Sequence, residues 1–374
     1  MSKRDLALDA LRGLFIFIIT VDHMQGIIVY FTWQTFGFAS ALPGFLFLSG
    51  YLVARVYGGL MLRRGVLSGL RKMALRVWKI YLWHAASVLV VVGGTMALAW
   101  VGLGIEHRMA TLQSLAGLLM LEHLNAYFNI LPLYLFFLAL AALLLLLFSR
   151  YPLLMAVTGV LIWALAPVVP SVLHPWGSTA LLQPLSWQVV FTLGLALGLF
   201  QVQGGHFRSP PWLTMIAAGL ALLFFALRWH ILEFEDVGLD PGLFERDALG
   251  VGRLLNILCL IVLITWAWPR LKPWLERRRL LVMVGQASLA AFSLQIMIVY
   301  YLGMIRRGLV PYTRPGFQDL VRLDVDWPSV VYLLMFDGLS VFLVALSTSC
   351  VGFMAIPLRF KRSPSPERER GVRA

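Results

Sequence analysis

Long apolar runs separated by short polar loops are the dominant pattern along this chain. Apolar runs of 17 or more residues recur from one end to the other, and such runs are typical of helices that cross a lipid bilayer. A soluble domain with a single core is therefore excluded. The sequence predicts an all-α polytopic membrane protein, a bundle of about ten transmembrane helices. The candidate spans, of which the eighth is the shortest, are 13–31, 39–58, 80–101, 130–148, 153–170, 184–202, 212–229, 254–268, 283–303 and 330–357.

Charge adds an orientation to this picture. Only 13% of the 374 residues are charged, about half the share of an ordinary soluble domain, and the net charge is +13. With the N-terminus placed inside, 22 of the 31 Lys and Arg residues fall in cytoplasmic segments and 7 on the other side. This bias predicts that both termini are cytoplasmic, and it accounts for the basic balance without a nucleic-acid partner. We expect residues 1–357 to form the membrane domain and 358–374 to form a disordered basic cytoplasmic tail.

Asp22 and His23 interrupt the first apolar run and are the strongest candidates for chemistry. Ionisable groups inside a membrane span cost about 2.5–3.5 kcal/mol on insertion scales, so they usually face the bundle interior and often serve function. His23 follows Arg12 by eleven residues, which on a helix is about 16 Å along nearly the same face. An imidazole at this depth suits a general base, since its ordinary pKa is near 6.5. Asp22 points about 100° away from His23, so the partners of both groups stay open.

Two further segments combine small, basic and aromatic residues. Ser49-Gly50 lies in the second span, where small residues allow helices to approach closely. Arg76 and Lys79 lead into Tyr81 and His84 of the third span, downstream of a basic segment at 59–79 that is consistent with a short helix on the cytoplasmic surface. These cations suit phosphate groups, although composition alone favours anionic lipids. Cys259 and Cys350 fall within spans, so we expect neither a disulfide framework nor a metal site.

These segments, in this order, resemble the OpgC family, a branch of the acyltransferase-3 superfamily of integral membrane acyltransferases. Arg12 and His23, separated by ten residues, reproduce the superfamily's signature. One departure is that Pro43-Gly44 stands where the family often has an acidic residue before its Phe-x-Phe-Leu-Ser-Gly block. The resemblance covers nearly the whole chain, through segments 8–13, 37–51, 78–84, 130–134, 184–194 and 285–292.

The resemblance implies a ten-helix enzyme of the bacterial inner membrane that transfers acyl groups, succinyl in the named case, to hydroxyls of a periplasmic glucan or another envelope saccharide. It also implies acyl-coenzyme A, succinyl-CoA in that case, as the cytoplasmic co-substrate, with no bound cofactor. His23 would be the catalytic histidine and Arg12 its signature partner, with Asp22 beside them.

Resemblance and residues together suggest a role for each candidate side chain. The donor's phosphates would bind at the basic rim, and a sugar hydroxyl would be deprotonated by His23. The rim is Arg12, Arg63, Arg64, Arg76 and Lys79; the candidates for oxyanion or substrate positioning are Ser49, Tyr81 and His84; those for the acceptor side are Tyr134, Trp187 and Gln188. Aromatic residues at a membrane interface are also common without a ligand.

Three alternatives stay open at this point. A proton-coupled transporter or flippase of an envelope saccharide or lipid would use Asp22, His23, Arg228 and Asp337 as a relay. A second enzyme interpretation places catalysis at Glu122-His123-Leu124-Asn125, in a predicted outer loop. A scaffold that binds membrane lipids through its basic loops would leave Asp22 and His23 unexplained.

Overall fold

The structure, a computed structural model, is built from helices throughout the residues that it describes, which are 5–101, 111–121, 127–169, 182–309 and 326–355. We number the longer helices α1 to α12. They are α1 Leu6–Met24, α2 Ala41–Arg64, α3 Val66–Trp100, α4 Leu112–Leu119, α5 Ile130–Phe148, α6 Pro152–Val168, α7 Pro184–Val202, α8 Pro211–Arg228, α9 Val251–Glu276, α10 Arg279–Gln286, α11 Ser288–Leu309 and α12 Trp327–Ala355. Single helical turns at Val29–Thr32, Glu235–Val237 and Pro241–Phe244 lie in the connections.

The prediction of an all-α polytopic membrane protein is confirmed, with fewer clear spans than ten. Eight helices of the described part are long and apolar enough to cross a membrane. Two predicted spans are not among them: α1 has the length but contains Asp9, Arg12 and Asp22, and α6 is apolar but shorter. Both helices pack within the bundle, α1 against five others and α6 against α7.

Several helices extend beyond the apolar runs that predicted them. The basic segment before the third span is not a separate surface helix: after Gly65, with φ of 86°, Val66 begins a helix that continues to Trp100. The eighth span, predicted as the shortest, is a 26-residue helix that passes through Pro269 and Pro273. Hydropathy marks only the part of a helix that lies in apolar surroundings, so polar helical ends escape it.

Glycines bring two helix pairs into backbone contact. A Cβ on Gly50 of α2 would overlap the carbonyl of Phe191 on α7, and one on Gly194 would overlap the carbonyl of Phe47. Likewise, a Cβ on Gly285 of α10 would overlap the carbonyl of Asp9 on α1. The close approach expected at Ser49-Gly50 is therefore found, because only glycine lets the backbones come this near.

Helix α1 lies at the centre of the bundle, in contact with α2, α9, α10, α11 and α12. Apolar side chains such as Leu153, Met215 and Phe342 stay exposed on the outer helices, where lipid chains would cover them. Cys259 is buried, Cys350 is exposed, and both are free thiols. The expected tail, the tetrad 122–125 and the loop histidines His107 and His174 lie outside the described residues.

Candidate functional site

The last turn of α1 presents His23 to a polar hollow beside that end of the helix. The Nδ1 atom of His23 lies 2.7 Å from the carbonyl oxygen of Ile19. Since a carbonyl only accepts hydrogen bonds, Nδ1 carries the proton in the neutral ring and Nε2 carries the lone pair. This is the tautomer that a general base requires at Nε2. The helix ends directly afterwards, because Gln25 adopts a left-handed conformation with φ of 54°.

Two buried carboxylates flank this turn, and each binds a group of the connection that follows α1. Asp22, 8% exposed, accepts a hydrogen bond from the Thr32 hydroxyl at 2.6 Å. Asp337 of α12 is fully buried and accepts one from the Ile28 amide at 3.0 Å. The proposed relay of Asp22, His23, Arg228 and Asp337 thus has its carboxylates held by a hydroxyl and an amide, rather than by each other.

A cavity of about 480 Å3, called here the His23 cavity, opens beside Asp22 and His23. Its walls combine charged, amide and aromatic side chains, which is a lining suited to a sugar with polar substituents. Besides Asp22 and His23 the polar and aromatic lining residues are Gln25, Trp33, Gln34, Ser40, Tyr127, Asn129, Trp187, Arg246 and Arg253. The buried Oδ1 of Asn129 has no hydrogen-bond partner within the described residues, so a polar ligand group would satisfy it.

A second cavity, called here the basic cavity, lies at the other end of α1 and measures about 1110 Å3. It is lined by the cations Arg12, Arg55, Arg63, Arg64 and Lys72, together with His206, Asp5 and Asp9. Arg12 also donates a hydrogen bond to the Ser288 hydroxyl. Arg55 sits on a π-helical turn, Ala54–Gly58, and donates to the Tyr51 hydroxyl at 3.3 Å. The surplus of cations makes this hollow suitable for a polyanion.

An apolar groove of about 160 Å3 lies between the two cavities along α1. It shares Asp5, Leu8 and Gln201 with the basic cavity, and Leu11 and Phe15 continue it along α1. Ile19, one turn further, belongs to the His23 cavity. Steps of three and four residues keep these side chains on one helix face. A single face of α1 therefore passes from the basic cavity, through the groove, to His23.

Pro43-Gly44, where we expected an acidic residue from the resemblance, lies beside both the His23 cavity and the groove. Pro43 lines the His23 cavity and Gly44 lines the groove, where a Cβ on Gly44 would meet the ring of Phe15. Gly44 therefore leaves free the space that the ring of Phe15 fills.

Tyr81 and His84, predicted to position the oxyanion or substrate, bind the end of a helix instead. The Tyr81 hydroxyl donates to the Leu119 carbonyl at 3.2 Å, and His84 Nε2 donates to the Leu118 carbonyl at 3.0 Å. These carbonyls belong to the last turn of α4, where the helix itself supplies no donors. Neither side chain lines the two cavities. Ser49 is 2% exposed, and its Oγ has no partner within the described part of the chain.

The residues predicted for donor and acceptor are only partly brought together. Arg12, Arg63 and Arg64 line the basic cavity, whereas Arg76 and Lys79 do not. Of the acceptor candidates, Trp187 lines the His23 cavity. Tyr134 packs edge-on against Phe191, and Gln188, fully buried, donates to the Gly159 carbonyl at 2.7 Å. Gln188 therefore joins α7 to α6, because a buried side-chain amide needs hydrogen-bond partners within the protein.

Sequence reasoning misses several residues that line the cavities. Lys72 reads only as part of a basic segment, and His206 as a surface residue with an ordinary role. Arg246 and Arg253 read as outer-loop cations, yet both line the His23 cavity. The one available signal for Arg253 is that it directly precedes the span predicted at 254–268, which places it in the first turn of a helix.

Comparison with known proteins identifies a family. A family model described as OpgC protein matches residues 4–312, which is more than four-fifths of the chain. No curated protein and no solved structure matches the chain. The match includes α1, both cavities and the groove.

Proposed function

The chain belongs to the OpgC family, and from this premise we propose that it is a membrane O-acyltransferase which moves an acyl group, succinyl in our proposal, from acyl-CoA to a sugar hydroxyl of a periplasmic glucan. The observation that carries the proposal is the face of α1 described above. It joins a polycationic cavity, an apolar groove and a cavity with a histidine whose tautomer suits a base. These are the parts that transfer from a phosphorylated donor to a saccharide requires.

Orientation follows from the distribution of cations. The basic cavity would face the cytoplasm of a bacterial inner membrane, because the segments that carry most Lys and Arg residues are retained on that side. The His23 cavity would then face the periplasm. This arrangement supports a donor that is made inside the cell and an acceptor that lies outside it.

The donor would bind with its phosphates at Arg12, Arg63, Arg64 and Lys72, which supply point charges and planar forks for phosphate oxygens. Its pantetheine arm would run along the groove beside Leu8, Leu11 and Phe15. The arm is long and uncharged, which fits the lining. The thioester would thereby arrive next to Ile19 and His23.

The acyl transfer itself needs one base and one acceptor. His23 Nε2 would take the proton of the sugar hydroxyl, whose oxygen attacks the thioester carbonyl. A C–O bond forms and the C–S bond breaks, and His23 returns the proton to the departing CoA thiolate. Asp22 and the Ile19 carbonyl would hold the α1 terminus and the ring in place. Of the three oxyanion candidates, Ser49 keeps a buried hydroxyl without a described partner, but like Tyr81 and His84 it lines neither cavity, so we assign the oxyanion role to none of them.

The acceptor sugar would lie against the aromatic walls of the His23 cavity. Trp187 is held by hydrogen bonds from its Nε1 to the carbonyls of Arg246 and Asp247, at 3.1 and 3.2 Å. Trp33 lies under the guanidinium of Arg246. Apolar sugar faces stack on rings held in this way, and the amides of Gln34 and Asn129 offer partners for hydroxyls.

The experiment is a mass spectrum of periplasmic glycans from cells that lack the gene, or carry the wild type, His23→Ala or His230→Ala at equal membrane levels. His230 is exposed and outside both cavities, so it is the matched control. We expect the acyl mass increment to vanish in the deletion and in His23→Ala, and to persist in the wild type and in His230→Ala. An increment that persists in His23→Ala overturns the proposal. Identical spectra in all strains favour the transporter or flippase, for which flux without a modified product is the signature.

A further inference from the structure

Arg253 combines burial with an unbalanced charge in the wall of the His23 cavity. Its side chain is only 7% exposed. Nε donates to the carbonyls of Phe244 and Glu245, at 3.0 and 3.2 Å, and Nη1 donates to the carbonyl of Phe38. All these acceptors are neutral, and Arg253 forms no ion pair with any residue that the structure describes. A buried cation without a counter-charge is costly, and an anionic ligand would offset that cost.

A second cation, Arg246, lies in the same wall and increases the positive charge. Its guanidinium carbon lies 5.2 Å from the centre of the Trp33 ring, a contact that directs the planar group. Arg246 and Arg228 are both close enough to Arg253 to repel it electrostatically.

Neighbouring carboxylates leave this positive charge without an ion pair among the described contacts. Asp22, the one carboxylate among the described residues that line the cavity, accepts its hydrogen bond from Thr32. Asp247 attracts Arg253 electrostatically, but its side chain is exposed to solvent and forms no ion pair with that arginine. Solvent screens an exposed charge, so Asp247 balances Arg253 only in part.

The segment that carries Arg246 is fastened to the bundle on both sides. Arg253 donates to the carbonyls of the two residues before Arg246, which are Phe244 and Glu245. Trp187 donates to the carbonyls of Arg246 and Asp247. The backbone N–H of Gln183 donates to the carbonyl of Asp247 at 3.0 Å, and Nε1 of Trp163 donates to the carbonyl of Leu249 at 2.9 Å. Such a segment keeps its charge in position before a ligand arrives, and preorganisation of this kind favours specific binding.

We propose that Arg253 and Arg246 form an anion subsite in the His23 cavity, which binds a carboxylate or phosphate group carried by one of the two substrates. The planar forks of the two guanidinium groups suit both oxyanions. The anion is either the distal carboxylate of a dicarboxylic acyl group that reaches past His23, or an acidic substituent on the sugar. The inference rests on the proposed function for the names of its ligands, but its test needs no turnover.

The test measures thermal unfolding of the full-length protein in detergent, at constant ionic strength, with two pairs of probes. Monomethyl succinate and its neutral dimethyl ester represent the acyl source, and glucose 6-phosphate and glucose represent the sugar source. We expect one of the two anions to raise the midpoint of unfolding of the wild type, while its neutral counterpart leaves the midpoint unchanged. The anion that acts identifies the source.

Arg246→Gln is the principal variant, because the side chain is exposed and its loss leaves the fastened backbone intact. It should weaken the apparent affinity for the active anion at least tenfold, and Arg253→Lys should do so as well if it folds. Arg208→Gln, an exposed arginine outside the His23 cavity, should bind the anion as the wild type does. The subsite is refuted if neither anion shifts the wild type, or if the Arg246 and Arg208 variants respond equally. Binding without any transferase activity would sink the proposed function alone.

Discussion

Gly26 packs directly against the carboxylate of Asp337, so closely that a Cβ at position 26 would overlap both of its oxygens. The same carboxylate accepts the hydrogen bond of the Ile28 amide. Because α1 ends at Met24, with His23 in its last turn, this contact fixes the chain immediately after the candidate base. In the proposed transfer, Asp337, which comes from the last helix of the described chain, would therefore position His23.

Gly26→Ala should lower both stability and transfer. The added methyl group must displace the Asp337 side chain, and overpacking of this kind costs about 1–3 kcal/mol. The turnover number should fall at least tenfold, whereas the KM for acyl-CoA should change little, since the basic cavity lies at the opposite end of α1. Thermal unfolding in detergent and steady-state kinetics with varied donor measure the two effects.

Gly338→Ala is the control, because a Cβ at that position meets nothing within 4 Å. A double-mutant cycle with Asp337→Ala sharpens the result. In that background the methyl group added at position 26 has no carboxylate to displace, so its cost should shrink. Equal costs of Gly26→Ala in the two backgrounds would show that the contact with Asp337 is not what matters.

The sequence predicts those site residues whose polarity differs from that of their neighbours in the chain. Asp22 and His23 stand out as ionisable groups in an apolar run, and the eleven-residue interval between Arg12 and His23 places these two on one helix face. In the structure, Arg12 and His23 line different cavities, at opposite ends of that face. Helix periodicity predicts that Arg12 and His23 share a face because both residues belong to the same helix.

Residues whose partners are distant in sequence could not be assigned in the same way. Arg253 reads as a loop cation, and only the fold brings the Phe38 carbonyl to it, 215 positions away. Tyr81 and His84 read as candidates for catalysis because they are polar within a span. Their acceptors, the last carbonyls of α4, belong to a short helix that hydropathy does not reveal. Polar residues in membrane helices serve such unpaired carbonyls as readily as they serve chemistry.

Arg63→Gln and Arg64→Gln should each raise the KM for acyl-CoA about tenfold, which corresponds to about 1.4 kcal/mol. Each variant removes a cation that lines the basic cavity. The dependence of KM on salt should also weaken, because fewer charges remain to be screened. The measurement is donor-dependent kinetics at several salt concentrations, with a fixed glucan concentration.

Arg76→Gln and Lys79→Gln provide the comparison for the donor site. The sequence predicts that both cations bind the donor, but neither lines the basic cavity, so their KM values should stay within about twofold of the wild type. If all four variants raise the KM for acyl-CoA by the same factor, basic residues inside and outside the cavity bind the donor's phosphates equally. The basic cavity would then not be a specific donor site.

Gln188→Leu should reduce stability and leave the KM for the acceptor unchanged. The buried side chain donates to the Gly159 carbonyl and accepts from the Thr192 hydroxyl at 2.9 Å, so leucine leaves both groups without a partner. An unsatisfied buried polar group costs about 1–3 kcal/mol. Gln203→Leu is the matched control, because Gln203 also binds a carbonyl, that of Ser149, but is exposed to solvent. A rise in the KM for the acceptor without a loss of stability would instead indicate that Gln188 binds the sugar.

Gly50→Ala tests the packing that holds α2 against α7. The methyl group would overlap the carbonyl oxygen of Phe191, and a backbone atom moves only if the helices separate. We expect the free energy of unfolding to fall by about 1–3 kcal/mol, as measured by denaturant titration in mixed micelles. Gly219→Ala on α8 is the control: a Cβ there meets nothing within 4 Å, and alanine has the higher helix propensity, so that variant should be unchanged or slightly more stable. A Gly50 variant as stable as the Gly219 variant would mean that α2 and α7 can separate without cost, and the close approach of their backbones would then be no determinant of the fold.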